Sequence, residues 1–115
     1  MMLSLLLLAA AQAASPCDNA MTQADMNQCS MEEYEAADGA LNAAWADARA
    51  QAKASGTYDS LLTAQRAWIA FRDAHCKAVA APYAGGSILP LIHNRCMTRL
   101  TQTRTAQLRE MAETN

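Results

Sequence analysis

The stretch Ala64–Cys76, AQRAWIAFRDAHC, combines a tryptophan, a phenylalanine, two arginines, an acid and a cysteine at spacings that suit a helix. With Leu61 and Val79 at its ends, a helix of 3.6 residues per turn gathers one set of side chains on its inward side. These are Leu61, Gln65, Trp68, Ile69, Arg72, Cys76 and Val79, whereas Arg66, Ala70, Asp73 and Lys77 fall on the other side. The inward side therefore carries a guanidinium, and a buried charge without a partner is costly.

An acidic residue in a matching position lies on the first predicted helix. One face of that helix contains Tyr34, Asp38, Leu41, Trp45, Ala48 and Ala52. Asp38 is the charged residue in this otherwise apolar stripe, where a solvated acid is not expected. We therefore predict a shielded ion pair between Asp38 and Arg72 that joins the first two helices.

Helix-forming residues dominate the chain, in which alanine is abundant and strand patterns are nearly absent. Three helices are predicted, from Thr22 to about Lys53, from about Ser60 to Ala81 and from about Ile88 to Met111. A second capping pattern at Ser30 allows a break in the first helix. The inward face of the third helix contains Leu89, His93, Cys96, Met97, Leu100 and Met111. We expect an all-α, three-helix antiparallel bundle with the second and third helices forming a hairpin.

The N-terminal residues predict export. Leu3–Ala10 is an unbroken apolar run, too short to span a bilayer, and small residues follow it. We predict a signal peptide at residues 1–14, cleaved after about Ala13 or Ala14, and a single domain at residues 15–115. The residues before Cys17 do not resemble a lipoprotein box, so we expect a periplasmic or secreted protein without a membrane anchor.

Four cysteines follow the predicted cleavage site, and an even number in a short exported chain favours two disulfides. Cys76 and Cys96 lie on inward faces that a hairpin brings together, which leaves Cys17 to pair with Cys29. A zinc site of His75, Cys76, His93 and Cys96 is the alternative, although the C-x₂-C and H-x₃-H spacings are absent. We predict the disulfides Cys17–Cys29 and Cys76–Cys96, with no metal or cofactor.

Motifs of catalysis are scarce. The patterns G-x-S-x-G and H-E-x-x-H and a glycine-rich phosphate loop do not occur. The third helix is basic but lacks interleaved exposed aromatic residues, which argues against a nucleic-acid partner. We predict a non-enzymatic protein, and a metal-dependent hydrolase that uses His75 and His93 is the alternative from another class.

Charge is distributed unevenly along the chain. Every charged residue before Arg49 is acidic, whereas seven basic residues and one acid lie between Arg66 and Arg109. One interpretation is an acidic helix packed beside a basic one, and the other is a cationic partner that docks on the acidic part. The candidate partner-binding residues, which face away from the predicted core, are Glu32, Glu33 and Asp47.

Several spaced motifs resemble those of a known family. They are Tyr34-x₃-Asp38-x₂-Leu41-Asn42-x₂-Trp45, Ala64-Gln65-Arg66-Ala67-Trp68-Ile69-x-Phe71-Arg72-Asp73-x₂-Cys76, Gly85-Gly86-Ser87 and Cys96-x₃-Leu100-Thr101-x₂-Arg104. On these motifs the chain resembles the LprI-type lysozyme-inhibitor family of small exported bacterial proteins, except that Trp45 stands where a tyrosine is expected. The motif residues to which we assign a structural role are Asp38, Asn42, Gln65, Arg66, Trp68, Arg72 and Asp73.

The resemblance implies a protein that inhibits lysozyme by binding to it directly. The shared motif residues look structural, so they do not by themselves identify the contact surface. A periplasmic interaction or envelope-stress module with a different protein target is the alternative function.

Overall fold

The computed structural model describes residues 17–113, and the predicted signal peptide lies outside them. Within this range the chain forms three long helices, α1 (Gln23–Ser55), α2 (Tyr58–Ala80) and α3 (Leu89–Glu113), with a 3₁₀ turn at Ala81–Tyr83 after α2. Residues 17–113 contain no strand. The expectation of an all-α fold built from three helices is therefore confirmed.

Helix α1 is continuous over 33 residues. It begins after Thr22, whose Oγ1 accepts a hydrogen bond of 3.0 Å from the backbone N–H of Asp25. It ends at Gly56, whose φ of 77° places it in the left-handed region that favours glycine. The capping pattern at Ser30 does not interrupt the helix, because the Ser30 hydroxyl donates to the carbonyl of Asn27, one turn earlier.

A short turn reverses the chain between α2 and α3. Gly85 adopts a φ of 82° there, and the carbonyl of Ser87 accepts a hydrogen bond of 2.9 Å from Nδ2 of Asn27 on α1. Further from the turn, a disulfide joins Cys76 of α2 to Cys96 of α3, with their Cα atoms 5.5 Å apart. Helices α2 and α3 thus form the expected hairpin.

Consecutive helices run in opposite directions, so α1 and α3 are parallel to each other. Asn94 donates to Ser30 near one end of the pair, and Ala52 shares a cluster with Leu108 near the other. The most extensive interface joins α1 to α3, whereas α1 and α2 share the smallest one. As a result α2 packs mainly against α3, and α1 and α2 are separated by a groove.

Two apolar clusters form the core. The larger lies towards the α1–α2 turn and contains Leu41, Ala44, Ala48, Ala52, Leu61 and Leu108, with Trp45, Tyr58, Trp68 and Ala112 packed against it. The smaller surrounds the Cys76–Cys96 disulfide and contains Met97, with Tyr34, Val79 and Leu100 packed against it. Alanines on α1 let α3 approach closely, since the distance between packed helices depends on the size of the side chains between them.

Two residues predicted to face inward are exposed instead. Ile69 is 40% exposed and Met111 is 41% exposed. Ile69 lies on the side of α2 that faces the groove, and the small α1–α2 interface does not cover it. Met111 lies in the last turn of α3, close to the chain end. The apolar periodicity thus indicated the buried side of each helix but included residues that the other helices do not cover.

In the part of the chain that the structure describes, none of the helices is long and apolar enough to cross a membrane.

Candidate functional site

Two arginines lie in the interior between the apolar clusters. Arg72 of α2 is 8% exposed and Arg104 of α3 is 7% exposed. Both guanidinium carbons lie over the indole of Trp68, at 5.0 Å and 6.0 Å from its centroid. An aromatic ring attracts a cation through its electron-rich face, and the attraction increases when water is excluded. We refer to Trp68, Arg72 and Arg104 as the Arg–Trp–Arg cluster.

Arg72 forms its ion pair with the neighbouring residue on its own helix. Its Nε lies 3.0 Å from Oδ1 of Asp73, and its Nη1 donates to Oγ1 of the buried Thr101 at 3.3 Å. Within residues 17–113 Arg72 forms its ion pair with Asp73 and not with Asp38, so the predicted pair is wrong. Asp38 and Arg72 line the same groove from opposite helices. The small α1–α2 interface shows that these helices are in contact over only part of their length.

Arg104 is held by two glutamines. Its Nε donates to Oε1 of the buried Gln65 at 2.8 Å, and its Nη1 donates to Oε1 of Gln107 at 3.1 Å. Its Nη2 is buried and has no hydrogen-bond partner among residues 17–113. Burial lowers the pKa of the Arg104 guanidinium, although an arginine remains protonated at physiological pH.

Tyr34 extends the cluster towards α1. The guanidinium carbon of Arg72 lies 5.9 Å from the centroid of the Tyr34 ring. Burial raises the pKa of the Tyr34 phenol, while the positive charge of Arg72 opposes that rise. The protonated, neutral phenol is therefore the form that this environment stabilises.

The α1–α2 groove is an open depression of about 370 Å³ above the cluster. It is lined by Asp38, Leu41, Asn42 and Trp45 of α1 and by Leu62, Gln65, Arg66, Ile69 and Arg72 of α2. Leu41, Gln65 and Arg72 are buried and form its floor, whereas Asn42, Arg66 and Ile69 are exposed. The structure thus brings together, in one groove, five of the motif residues that the sequence analysis selected.

The acids predicted to bind a partner differ in their surroundings. Glu32 and Asp47 are exposed on the outer side of α1, and Glu32 accepts a hydrogen bond from Gln28 one turn earlier. Glu33 is half-buried and lines a second depression of about 620 Å³ between α1 and α3, which Arg109 also lines. Glu32 and Asp47 thus lie on the exposed side of α1, whereas Glu33 is only partly exposed, and a role of the three acids in partner binding stays a prediction.

Both disulfides of the structure join the cysteines that the sequence analysis paired, Cys17 with Cys29 and Cys76 with Cys96. Because Cys76 and Cys96 are bonded to each other, they have no thiolate to offer a metal ion. His75 is exposed and stacks on the ring of Phe71, with the ring centroids 5.2 Å apart. No group of three or more potential metal ligands occurs in the described range 17–113.

Several buried polar residues were not among those predicted to face the interior. Arg104 and Thr101 follow Met97 at helical spacing and precede Leu108, so the periodicity of α3 already indicated their burial. Ser30 and Asn94, which hydrogen-bond across α1 and α3 at 3.0 Å, are also buried. Their pairing depends on the parallel contact between α1 and α3, which local patterns do not reveal.

One comparison with known proteins identifies a family. The family model of the lysozyme inhibitor LprI matches residues 14–108. A curated relative, an uncharacterised protein of Rhizobium meliloti (strain 1021), is 36% identical over 109 residues, an alignment that covers 84% of this chain and 78% of the relative. No solved structure matches the chain significantly.

Proposed function

Since the chain belongs to the family of the lysozyme inhibitor LprI, we propose that it is an exported, non-enzymatic protein that inhibits a lysozyme by binding to it directly. The observation that carries the proposal is the match of the family model to residues 14–108, which include all three helices except the end of α3. Two disulfides favour an oxidising compartment, and we place the protein in the periplasm or outside the cell.

We further propose that the acidic side of α1 contacts the lysozyme. Glu32 and Asp47 are exposed and lie fifteen positions apart, which corresponds to about 22 Å along a helix. That length suits a protein interface of standard size. No basic residue precedes Arg49 in the sequence, so the N-terminal two thirds of α1 presents negative charge alone to solvent.

Charge complementarity would bring this surface to a strongly cationic lysozyme. Opposite charges speed the encounter of two proteins and orient them, and added salt screens the attraction over about 10 Å at 0.1 M ionic strength. Glu33 lies at the depression between α1 and α3 rather than on the outer side of α1. It would contact a part of the lysozyme that reaches towards α3.

The test is lysozyme turnover with the mature protein, residues 15–115, at low and at high salt. Glu32, Glu33 and Asp47 are changed together to lysine, and the control changes three exposed acids away from α1, Asp59, Glu110 and Glu113, to lysine. Both variants alter the net charge by the same amount. We expect inhibition that weakens with salt, disappears in the first variant and persists in the control.

Other outcomes separate the parts of the proposal. Absence of inhibition at low salt contradicts inhibition of the lysozyme tested. Equal loss in both variants shows that net charge acts rather than the surface of α1. If lysozyme is not bound, capture of a different envelope protein from periplasmic extract by the tagged mature protein supports the alternative interaction module.

A further inference from the structure

Positive charges outnumber negative ones around the α1–α2 groove. Arg66, Arg72 and Arg104 lie at or beneath it, and the acids around it are Asp38 and Asp73. The Asp73 side chain is 56% exposed, so water weakens its compensation of the buried Arg72. The floor of the groove therefore favours a negative charge.

Arg72 is held by two hydrogen bonds, while other N–H groups of its guanidinium make none within residues 17–113. An arginine has five N–H donors, and the hydrogen bonds of Arg72 to Asp73 and Thr101 use two of them. The rings of Trp68 and Tyr34, whose centroids lie 5.0 Å and 5.9 Å from the guanidinium carbon, restrict the movement of Arg72. A buried, restrained guanidinium that lines a groove is suited to bind an oxyanion, because little side-chain entropy remains to be lost on binding.

The other walls restrict the kind of anion. Arg66 is exposed on the same wall and offers a second guanidinium, and Asn42 offers an amide from α1. Asp38, half-buried on the α1 wall, offers carboxylate oxygens that accept hydrogen bonds. Trp45 and Ile69 supply apolar surface between these polar groups. The walls therefore match a carboxylate with a nearby N–H group and a small apolar side chain.

From this arrangement we propose that the α1–α2 groove binds the carboxyl end of an acylated amino acid or a short peptide. The carboxylate lies against Arg72 and Arg66, the adjacent amide N–H faces Asp38, and the side chain packs against Trp45 and Ile69. A depression of about 370 Å³ is within the range of volumes that hold small ligands. This site is separate from the acidic outer side of α1, so it does not rest on inhibition of lysozyme.

The experiment is a titration of ¹⁵N-labelled mature protein followed by two-dimensional NMR. The probes are N-acetyl-L-alanine, its D enantiomer, the neutral N-acetyl-L-alaninamide, N-acetyl-N-methyl-L-alanine, which lacks the N–H, and acetyl-trialanine. We expect saturable chemical-shift changes of groove residues with N-acetyl-L-alanine or with its D enantiomer. The dissociation constant of the preferred enantiomer should be about 1 mM or tighter. The neutral amide should cause none, and the N-methyl compound should bind more weakly than N-acetyl-L-alanine.

Matched arginine variants locate the charge. Arg66→Gln should weaken binding about tenfold, since it removes a charged hydrogen-bond donor from the groove. Arg99→Gln is the control, because Arg99 is an exposed arginine of α3 outside the groove. Both variants alter exposed side chains, so we expect both to fold.

Each result has a defined meaning. Tighter binding of acetyl-trialanine identifies a peptide end as the ligand, and equal binding identifies the small acylated amino acid. The comparison of enantiomers shows which configuration the groove accepts. Lack of saturable shifts with every acid overturns the proposal, as does equal weakening by Arg66→Gln and Arg99→Gln, or binding of the neutral amide as tightly as the acid. Lysozyme inhibition is measured separately, so failure of either proposal leaves the other standing.

Discussion

The guanidinium carbon of Arg72 lies 5.0 Å from the centroid of the Trp68 ring, one helical turn away on the same helix. Arg104, from α3, approaches the same ring at 6.0 Å. An arginine suits this place because its planar guanidinium stacks on an aromatic ring while its edge donates hydrogen bonds. The interior of this small bundle is therefore organised around an aromatic ring and two cations rather than around the ion pair that the sequence suggested.

Replacement of Arg72 by lysine should destabilise the protein although the charge is kept. A lysine ammonium cannot stack on Trp68 and at the same time reproduce the two-sided contact with Asp73 and Thr101. We expect a decrease of about 2 kcal/mol in the free energy of unfolding, measured by urea denaturation. A loss below about 0.5 kcal/mol would show that the charge alone is sufficient at this position.

The two acids near Arg72 should differ when each is changed to asparagine. Asp73→Asn removes the ion pair of Arg72 and should lower the free energy of unfolding by up to about 1 kcal/mol, because the Asp73 side chain is largely exposed. Asp38→Asn should change it by no more than about 0.5 kcal/mol. Thermal and urea unfolding of both variants beside wild type give the comparison. A larger loss for Asp38→Asn would restore the pairing of Asp38 with Arg72.

Gln65 and Gln107 should contribute unequally although both accept from Arg104. Gln65 is buried and bonds Nε at 2.8 Å, so Gln65→Ala leaves a buried guanidinium with one fewer acceptor. We expect this variant to lose about 2 kcal/mol of the free energy of unfolding. Gln107→Ala is the matched control and should lose less, because Gln107 is exposed and water can replace it. Equal losses in urea denaturation would contradict this assignment.

The two disulfides should differ in their resistance to a reductant. Cys76 and Cys96 are 0% and 1% exposed, whereas Cys17 is only half-buried. Exchange requires access of a thiolate to one of the sulfurs, so mild reduction of the native protein should open Cys17–Cys29 first. Alkylation followed by peptide mass mapping identifies the opened pair. Initial labelling of Cys76 or Cys96 would contradict the expected order.

Removal of the disulfides should also affect stability. The chain-entropy model gives about 3 kcal/mol for each bond, since their cysteines are 12 and 20 positions apart. Paired changes to serine should cost more at Cys76 and Cys96 than at Cys17 and Cys29, because the first pair also belongs to the smaller core cluster. Thermal unfolding of the two double variants gives the comparison, and the reverse order would show that the N-terminal arm contributes more than its burial suggests.

Tyr34 should make the protein sensitive to alkali. Burial raises the pKa of its phenol in the folded state, so its contribution is complete below the pKa of the unfolded chain, near 10. As the pH rises further, the unfolded chain loses this proton before the folded one, and the free energy of unfolding falls. Tyr34→Phe should therefore show a shallower alkaline decrease than wild type.

The measurement for Tyr34 is the urea midpoint between about pH 8 and pH 11, the interval in which an ordinary tyrosine begins to titrate. Tyr83→Phe, at an exposed tyrosine in the turn before α3, serves as the control for loss of a phenol elsewhere. An alkaline decrease of equal steepness in wild type and Tyr34→Phe would show that other groups cause the effect.

Local patterns in the sequence were sufficient to predict the helices and the cysteine pairs. Alanine content, caps and apolar periodicity act over a few residues, and Cys76 and Cys96 follow directly from the hairpin turn. The partner of Arg72 was not predictable in this way. Asp73 is adjacent to Arg72 in the sequence and Asp38 lies across the groove from it, so the choice between them depends on how far α1 and α2 separate.

The separation of α1 and α2 is itself a consequence of distant contacts. Helix α3 packs along α1 and supplies Arg104 and Thr101 to the interior beside α2, so it determines where the groove opens. Periodicity indicated the buried side of each helix but not which helix covers it. Ile69 shows the limit, because it has the spacing of a core residue and lies in the groove.

The parallel contact of α1 with α3 determines when this chain is able to fold. The hydrogen bonds from Asn27 to Ser87 and between Asn94 and Ser30 connect residues 60 and 64 positions apart. Helix α1 finds its main partner in α3, which is synthesised after α1 and α2, and a helix without tertiary packing is only marginally stable in water. The polypeptide therefore stays open until α3 has been synthesised, which suits the exported, disulfide-bonded protein that we propose.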